Sequence, residues 1–360
     1  MVTYIICRRR VRTACCGLAV ACCAAILLLY PDTVAGGISR GLSICASIII
    51  PSLFPFLVLG GFLSKSGVAS AVGSRLEGVT RLLFGLPGCC AAGILIAFVG
   101  GYPAGGTVIA ELVRSKQITH DEGERMLRFC VCGGPGFVIS TVGAGLMGSL
   151  TLGLILFTAH IAAAVLLGVL GAPMHSRRKT PTPPVSRPHV SSVSAFAESV
   201  TTACTTLLSL CGFILLFSGV LALLDMLIPA NHTATALLSC LLEVSCGCVA
   251  AAKLSTLAPF ILGVAIGFGG LSVHCQLAAL LAGTGVFTPR FWFFRLLHGT
   301  LTALLTLLLL RMIPITVPVF GTTTPTVQAV SGSVGISVFL LLLCGIWLLS
   351  VDKRKGVTYN

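Results

Sequence analysis

The sequence predicts an all-α polytopic membrane protein made of two inverted repeats, each with a re-entrant helical hairpin and a discontinuous or kinked helix. Hydrophobic residues make up 56% of the 360 residues and charged residues 9%, with a mean hydropathy of +1.05. Soluble domains carry about 25% charged residues. Two apolar runs are also interrupted by glycine-rich motifs in matching places, a pattern that marks the binding sites of transporters.

Residues 1–36 are predicted to form an N-terminal transmembrane helix. A basic cluster at 8–12 precedes an apolar run at 14–30, and this arrangement is shared by uncleaved first helices and cleaved signal peptides. The only candidate cleavage sequence, residues 33–35, is weak, which favours the uncleaved helix.

The first half of the protein is predicted to span residues 37–172. A helix at about 42–63 contains Pro51 and Pro55, which predict a kink because proline cannot donate a helical hydrogen bond. Residues 65–84 mix charged and apolar residues and indicate an amphipathic helix at the membrane interface.

A re-entrant hairpin is predicted around 89–113, with Gly100, Gly101, Pro103 and Gly105 at its turn. The apolar arm before the turn reaches about 16 Å, roughly half of the 30 Å hydrocarbon core. Backbone that leaves a helix at this depth must be buried in protein or line a wet cavity. One helix kinked at its glycines is the alternative interpretation.

A second copy of the motif favours the hairpin. Gly269 and Gly270 interrupt another apolar run, and aligning them with the first glycine pair gives an offset of 169 residues. We therefore expect a second hairpin around 256–283.

A discontinuous helix is predicted after the first hairpin. Thr119 and Glu122 form a capping-box pattern at its start, and Gly133, Gly134 and Pro135 interrupt it short of a full span. The unpaired N–H groups where the helix resumes can hold an anion. A simple proline kink is the alternative.

The remaining boundaries follow composition. Residues 173–194 are basic and rich in proline and serine, which indicates a linker, and residues 195–313 form the second half. Residues 314–360 contain a loop, a last transmembrane helix and a basic tail.

His160, alone in an apolar span, is expected to be a packed, hydrogen-bonded residue. Glu243 stands in an apolar stretch, so it is either a functional acid at membrane depth or an interfacial residue.

Several functions are excluded by the pattern of charged and reactive residues. The net charge of +13 collects at the ends of apolar runs, so it reports topology and not nucleic-acid binding. Most of the 17 cysteines lie in apolar runs without zinc spacing, so we expect no metal and no cofactor. No nucleotide-binding loop or nucleophile motif occurs, and His274 or Glu243 as a base lacks a catalytic partner, so no catalytic residue is assigned.

Four motifs carry a resemblance to a known family: Leu53–Phe56, Gly100–Gly105, Gly134–Val138 and Gly267–Gln276. In order and composition they resemble the family of the sporulation integral membrane protein YlbJ, which carries two nucleoside-recognition (Gate) domains. The resemblance implies two Gate-like halves and a transporter that moves dipicolinate across the outer forespore membrane of a bacterial cell. The chain departs from the family pattern at Gly106-Thr107, where Ala-Lys is usual, and at Val131-Cys132-Gly133, where an asparagine is usual.

Dipicolinate is a planar aromatic dianion. Backbone N–H groups and the positive N-terminal ends of helices can bind its two carboxylates. Tyr102 can stack on its ring, and Ser272 and Gln276 lie on one helical face. For His274 and Gln276 the alternative is hydrogen bonding that locks the hairpin. The candidate substrate-binding residues are Gly100, Gly101, Tyr102, Pro103, Gly105, Gly133, Gly134, Pro135, Glu243, Gly269, Gly270, Ser272, His274 and Gln276.

The expected partners are a small anionic molecule and the lipid bilayer, with no nucleic acid. A homo-oligomer and contacts with other sporulation membrane proteins are compatible with this assignment. Two alternative functions remain open, namely transport of a nucleoside-like molecule and a non-transporting scaffold in the sporulation membrane.

Overall fold

The computed structural model describes residues 17–18, 21–22, 24–172, 192–226 and 231–313, and within these ranges the regular structure is entirely helical. This confirms the all-α polytopic fold. In the described part of the chain, five helical runs are long and apolar enough to cross a membrane: Pro31–Lys65, Leu150–Leu170, Ser192–Asp225, Ser255–Leu280 and Arg290–Met312.

Three predicted segments lie wholly or mostly outside the described residues. They are the linker at 173–194, the last helix and basic tail at 314–360, and the first part of the segment 1–36, in which the described residues 17–18, 21–22 and 24–29 are helical as predicted.

The first long element is a nearly continuous helical run. Helix α1 (Pro31–Ile44) passes through a wide π-helical turn (Cys45–Ile49) into α2 (Ile50–Lys65). The wide turn lies just before Pro51, where the missing N–H disturbs the normal hydrogen bonding. The predicted interfacial helix follows as α3 (Val68–Phe84).

The first helical hairpin is present where it was predicted. Helices α4 (Cys90–Gly100) and α5 (Tyr102–Arg114) are joined by Gly101, whose φ is 84°. Gly105 faces Ala97 and Gly93 faces Val108, so the two arms run antiparallel from the turn. Their 11 and 13 residues correspond to about 16 and 20 Å of helix, too short to cross the hydrocarbon core.

The discontinuous helix of the first half is also present. Helix α6 (His120–Phe129) starts with the predicted capping box between Thr119 and Glu122. The chain is irregular over 131–134, and α7 (Gly136–Leu146) resumes with π-type turns. Helix α8 (Leu150–Leu170) then returns along α7.

The second half begins with α9 (Ser192–Asp225), followed by α10 (His232–Leu242) and α11 (Val244–Ala251). The last two form an antiparallel hairpin, because Gly247 packs directly on the backbone of Cys240. The turn consists of Glu243 in an extended conformation. The later elements are a short 3-10 turn (Ser255–Leu257), α12 (Ala258–Phe268), α13 (Gly270–Leu280) and α14 (Arg290–Met312).

The prediction of a hairpin around 256–283 was wrong. Gly269 and Gly270 do interrupt the helix, with φ values of 88° and 74°, but α12 and α13 do not fold back on each other. Helix α12 packs on α14, where Gly263 contacts Ala303, and α13 packs on α5, where Leu277 contacts Gly106. Residues 256–283 therefore form the second discontinuous helix, and residues 232–251 form the second hairpin.

The physical reason is that a glycine pair with positive φ ends a helix whether or not the chain then reverses. The second hairpin turns at a glutamate and has no glycine pair to mark it.

With this correction the two halves share one order of elements: a long helix, a hairpin, a discontinuous helix and a full span. The two long helices run antiparallel, because Gly37 packs against Ser218 and Ala222 while Gly61, at the other end, packs against Ser199. Corresponding long helices thus point in opposite directions, as inverted repeats require.

Candidate functional site

Each hairpin turn lies on the helix break of its own half. A Cβ atom on Gly101 would lie 3.3 Å from the backbone nitrogen of Gly134, in the first break. A Cβ atom on Gly270, in the second break, would lie 3.0 Å from the backbone nitrogen of Val244, beside the second turn. The four irregular segments therefore meet in the interior of the protein.

Tyr102 connects the first hairpin to the second break. Its hydroxyl donates to the carbonyl of Ile266 at 2.6 Å, and its ring lies close to Gly133 and Gly269. The phenol is 6% exposed. The side chain thus holds the two halves together and also forms part of the wall between them.

Replacing Tyr102 with phenylalanine should lower stability modestly. The ring stays, but the carbonyl of Ile266 loses its donor, at a cost of about 1–2 kcal/mol. The shift is measured as the thermal midpoint in detergent, and Tyr30→Phe, at an exposed tyrosine, is the matched control. Equal midpoints for both variants would contradict the bond.

Arg295 is a residue that the sequence reasoning missed. It is fully buried in α14 and donates to three carbonyls, those of Val131 at 2.6 Å, Phe268 at 3.2 Å and Gly267. These carbonyls follow or end α6 and α12, where the helix dipoles place negative partial charge. One guanidinium therefore joins both breaks.

Two stacked histidines continue this network. The backbone N–H of Gly133 donates to Nε2 of His160 at 2.9 Å, so the proton of that ring is on Nδ1, which faces Thr302. Arg295 faces Nδ1 of His298, whose Nε2 therefore carries the proton and donates to the carbonyl of His160 at 3.0 Å. This confirms His160 as a packed, hydrogen-bonded residue.

Cys132, His160 and His298 also bring three potential metal ligands within 4.8 Å of one another. All four ring nitrogens already have partners, and the thiol of Cys132 contacts the carbonyl of Phe129 at 3.2 Å. A metal ion would have to displace these bonds. The cluster is better suited to joining the two halves than to holding a metal.

A small, partly open cavity of about 40 Å³ lies between the hairpin turns. That volume holds about three water molecules, so a larger solute requires a hairpin to move. Apart from Glu243, its walls carry no charged side chain among the described residues. The lining consists of Ile49, Leu53, Phe56, Leu57, Val99, Gly100, Gly101, Tyr102, Pro103, Gly134, Gly136, Phe137, Leu210, Glu243, Val244, Ser245, Val273 and Gln276.

Half of the predicted site residues line this cavity, namely Gly100, Gly101, Tyr102, Pro103, Gly134, Glu243 and Gln276. The other half are not among the lining residues, namely Gly105, Gly133, Pro135, Gly269, Gly270, Ser272 and His274. Substrate binding by the lining set stays a prediction.

His274 belongs to the helix break and not to the cavity wall. Its Nε2 lies 2.9 Å from the carbonyl of Phe268, and the rings of Phe268, Phe291 and Trp292 enclose it. This favours the alternative in which His274 locks the structure.

Glu243 is 2% exposed, so it lies in the interior of the protein, which favours its interpretation as a functional acid. Its Oε2 accepts the backbone N–H of Cys246 at 2.7 Å and caps α11, and the hydroxyl of Ser272 points to Oε1 at 3.5 Å. An acid at membrane depth is costly and usually functional.

These features define a class of protein: a polytopic helical membrane protein whose two inverted halves each place a short hairpin on a discontinuous helix around one central cavity. The chain is 29% identical over 324 aligned residues, 79% of each chain, to the sporulation integral membrane protein YlbJ of Bacillus subtilis (strain 168). No family model and no solved structure matches it. The chain is therefore similar to this sporulation membrane protein over most of its length, and it is an integral membrane protein.

Proposed function

We propose that this protein is a sporulation transporter that moves a small anion, with dipicolinate as the first candidate, across the outer forespore membrane. The observation that carries the proposal is the convergence of both hairpin turns and both helix breaks on one cavity. Irregular backbone at membrane depth is tolerated where it lines such a cavity. The similarity to a sporulation integral membrane protein supports the biological setting.

The electrostatics of the helix ends favour an anion. The cavity is lined from the first turns of four helices: Tyr102 and Pro103 of α5, Gly136 and Phe137 of α7, Val244 and Ser245 of α11, and Val273 of α13. Helix N-termini carry unpaired N–H groups and positive partial charge. The opposite, negative ends of α6 and α12 are occupied by Arg295.

The arrangement also supports alternating access. Each turn covers the break of its own half, and the two halves are inverted. Lifting one hairpin would open the cavity toward one side of the membrane while the other hairpin keeps it closed. Movement around a fixed central site is the usual mechanism of inverted-repeat transporters.

Uptake of radiolabelled dipicolinate into liposomes that contain the purified protein tests the proposal. Time-dependent uptake, inhibited by unlabelled dipicolinate, supports it. Inhibition by nucleosides in place of dipicolinate favours the second candidate, a nucleoside-like solute, for which Glu243 and Gln276 offer hydrogen-bonding groups in the cavity wall. A protein that moves neither solute, while its deletion still lowers spore dipicolinate, favours the scaffold.

Gly101→Ala should reduce uptake about tenfold. Gly101 has φ 84° and ψ −173°, a conformation open only to glycine, and forcing alanine into it costs about 1–3 kcal/mol. Gly67→Ala is the control, since Gly67 also has a positive φ but nothing lies within 4 Å of its Cβ position. Equal losses in both variants would argue against a special role for the hairpin turn.

A further inference from the structure

Glu243 presents a problem for a transporter of anions. It is the one charged side chain that lines the cavity among the described residues, and its charge has the same sign as the proposed solute. Its carboxylate accepts the backbone N–H of Cys246 and a long contact from the hydroxyl of Ser272, and Ser245 also donates to it. No lysine or arginine of the described residues forms an ion pair with it.

The groups around Glu243 do not compensate its charge. Three thiols come from its own hairpin, one comes from the π-helical turn and one from α9. Helix α5 adds the phenol of Tyr102, and neither α7 nor α12 contains a titratable residue. On α13 the imidazole of His274 points to Phe268 instead. The guanidinium of Arg295 is engaged with three carbonyls. The surrounding titratable groups are Cys45, Tyr102, Cys211, Cys240, Cys246 and Cys248.

An ionised carboxylate without a cation is expensive in such surroundings, and a second anion in the same cavity raises the cost further. The simplest species that removes the conflict is a proton. The oxygen Oε1 lies 3.5 Å from the hydroxyl of Ser272, so a protonated carboxyl has a hydrogen-bond partner there.

We propose that Glu243 is a proton-binding site that couples anion transport to proton transport. This rests on the transport function proposed above. A proton from the water on the loading side binds Oε1 and forms an O–H bond as the anion enters, and the same bond breaks when both leave on the other side. A dianion and one proton then cross with a net charge of −1, and no other co-reactant is needed.

The test is an equilibrium measurement. The protein is reconstituted into liposomes, the membrane potential is clamped to zero, and the steady-state ratio of internal to external radiolabelled dipicolinate is measured with and without a pH difference. One coupled proton means that a difference of one pH unit shifts this ratio about tenfold. In Glu243→Gln, which keeps the shape and the acceptor oxygen, the ratio should not respond to pH.

The control is Asp225→Asn, at an exposed acid at the end of α9, which should keep the tenfold response. Because the ratio is an equilibrium quantity, a slower variant still gives a valid answer. A wild-type ratio that ignores pH, or a Glu243→Gln variant that keeps the tenfold response, overturns the proposal.

Two further outcomes remain distinguishable. If Glu243→Gln does not fold, proton uptake by the wild-type protein is measured with a pH-sensitive dye inside the liposomes. About one proton per dipicolinate supports coupling and none overturns it. If the wild-type protein shows no isotope exchange even at equal pH, the proposed function fails, and the coupling proposal fails with it.

Discussion

Arg295→Ala should destabilise the protein much more strongly than the loss of the Tyr102 hydroxyl does. The variant leaves the buried carbonyls of Val131 and Gly267 without their donor and creates a void where a large, fully buried side chain stood. An unsatisfied buried polar group costs about 1–3 kcal/mol, so we expect a loss of about 3–5 kcal/mol. For a protein of this size that corresponds to a fall of roughly 5 °C in the thermal midpoint.

The matched control is Arg290→Ala in the same helix, because the side chain of Arg290 is 75% exposed. Its midpoint should stay close to that of the wild type. The midpoint of Arg295→Lys should lie between those of the wild type and the alanine variant. An ammonium group keeps the charge, but it cannot donate to both breaks at once as the planar guanidinium does. Thermal midpoints in detergent check all three. An Arg295→Ala variant as stable as the wild type would show that the guanidinium does not join the breaks.

Arg295 also illustrates why the sequence reveals a site only in part. A lone arginine near the start of an apolar run, with Arg290 five residues before it, resembles the ordinary basic end of a membrane span. Its three acceptors come from segments more than 25 residues away along the chain and are backbone carbonyls, which have no side-chain signature. The available signal was its position inside the helix, because a charge at membrane depth deserves a functional hypothesis.

The two hairpins show the same limit. The first was predictable because Gly101 needs a positive φ and Pro103 follows two residues later. The second turn uses Glu243 in an ordinary extended conformation, which any residue can adopt. The glycine pair that matches the first one in sequence marks a helix break instead. Composition and local conformation therefore locate the interruptions, whereas the direction of the chain after each one depends on tertiary packing.

The structure agrees more closely with the prediction for the first helix break, because the capping residues and the glycine–proline pair indicate the same boundaries. Thr119 and Glu122 supply the capping box, and Gly134 and Pro135 stand where the helix must stop and restart. The outcome for His274 differs, since its residue type suits a binding site equally well. The tertiary contacts decide in favour of the locking role, because Phe268, Phe291 and Trp292 enclose the imidazole and the carbonyl of Phe268 pairs with it.

Gly105→Ala should abolish transport by separating the first hairpin from the first break. A methyl group at Gly105 would lie 1.9 Å from the carbonyl oxygen of Cys130, and the nearest atoms are backbone, which cannot rotate away as a side chain can. Cys130 is itself fixed by a hydrogen bond to Met126. Helix α5 must therefore shift, at a cost of about 3 kcal/mol, which corresponds to about a hundredfold.

The shift also carries away Tyr102, three residues earlier in α5, so the bond to Ile266 that joins the two halves is strained at the same time. Liposome uptake and the thermal midpoint measure the two effects separately. Gly212→Ala in α9 is the control, because its Cβ position is open and alanine in a helix is about 0.5–1 kcal/mol more favourable than glycine. A Gly105→Ala variant that transports like this control would mean that the hairpin and the break need not touch during the cycle. The first hairpin and the first break together form one side of the cavity. If they need not touch, that side of the cavity must form in another conformation.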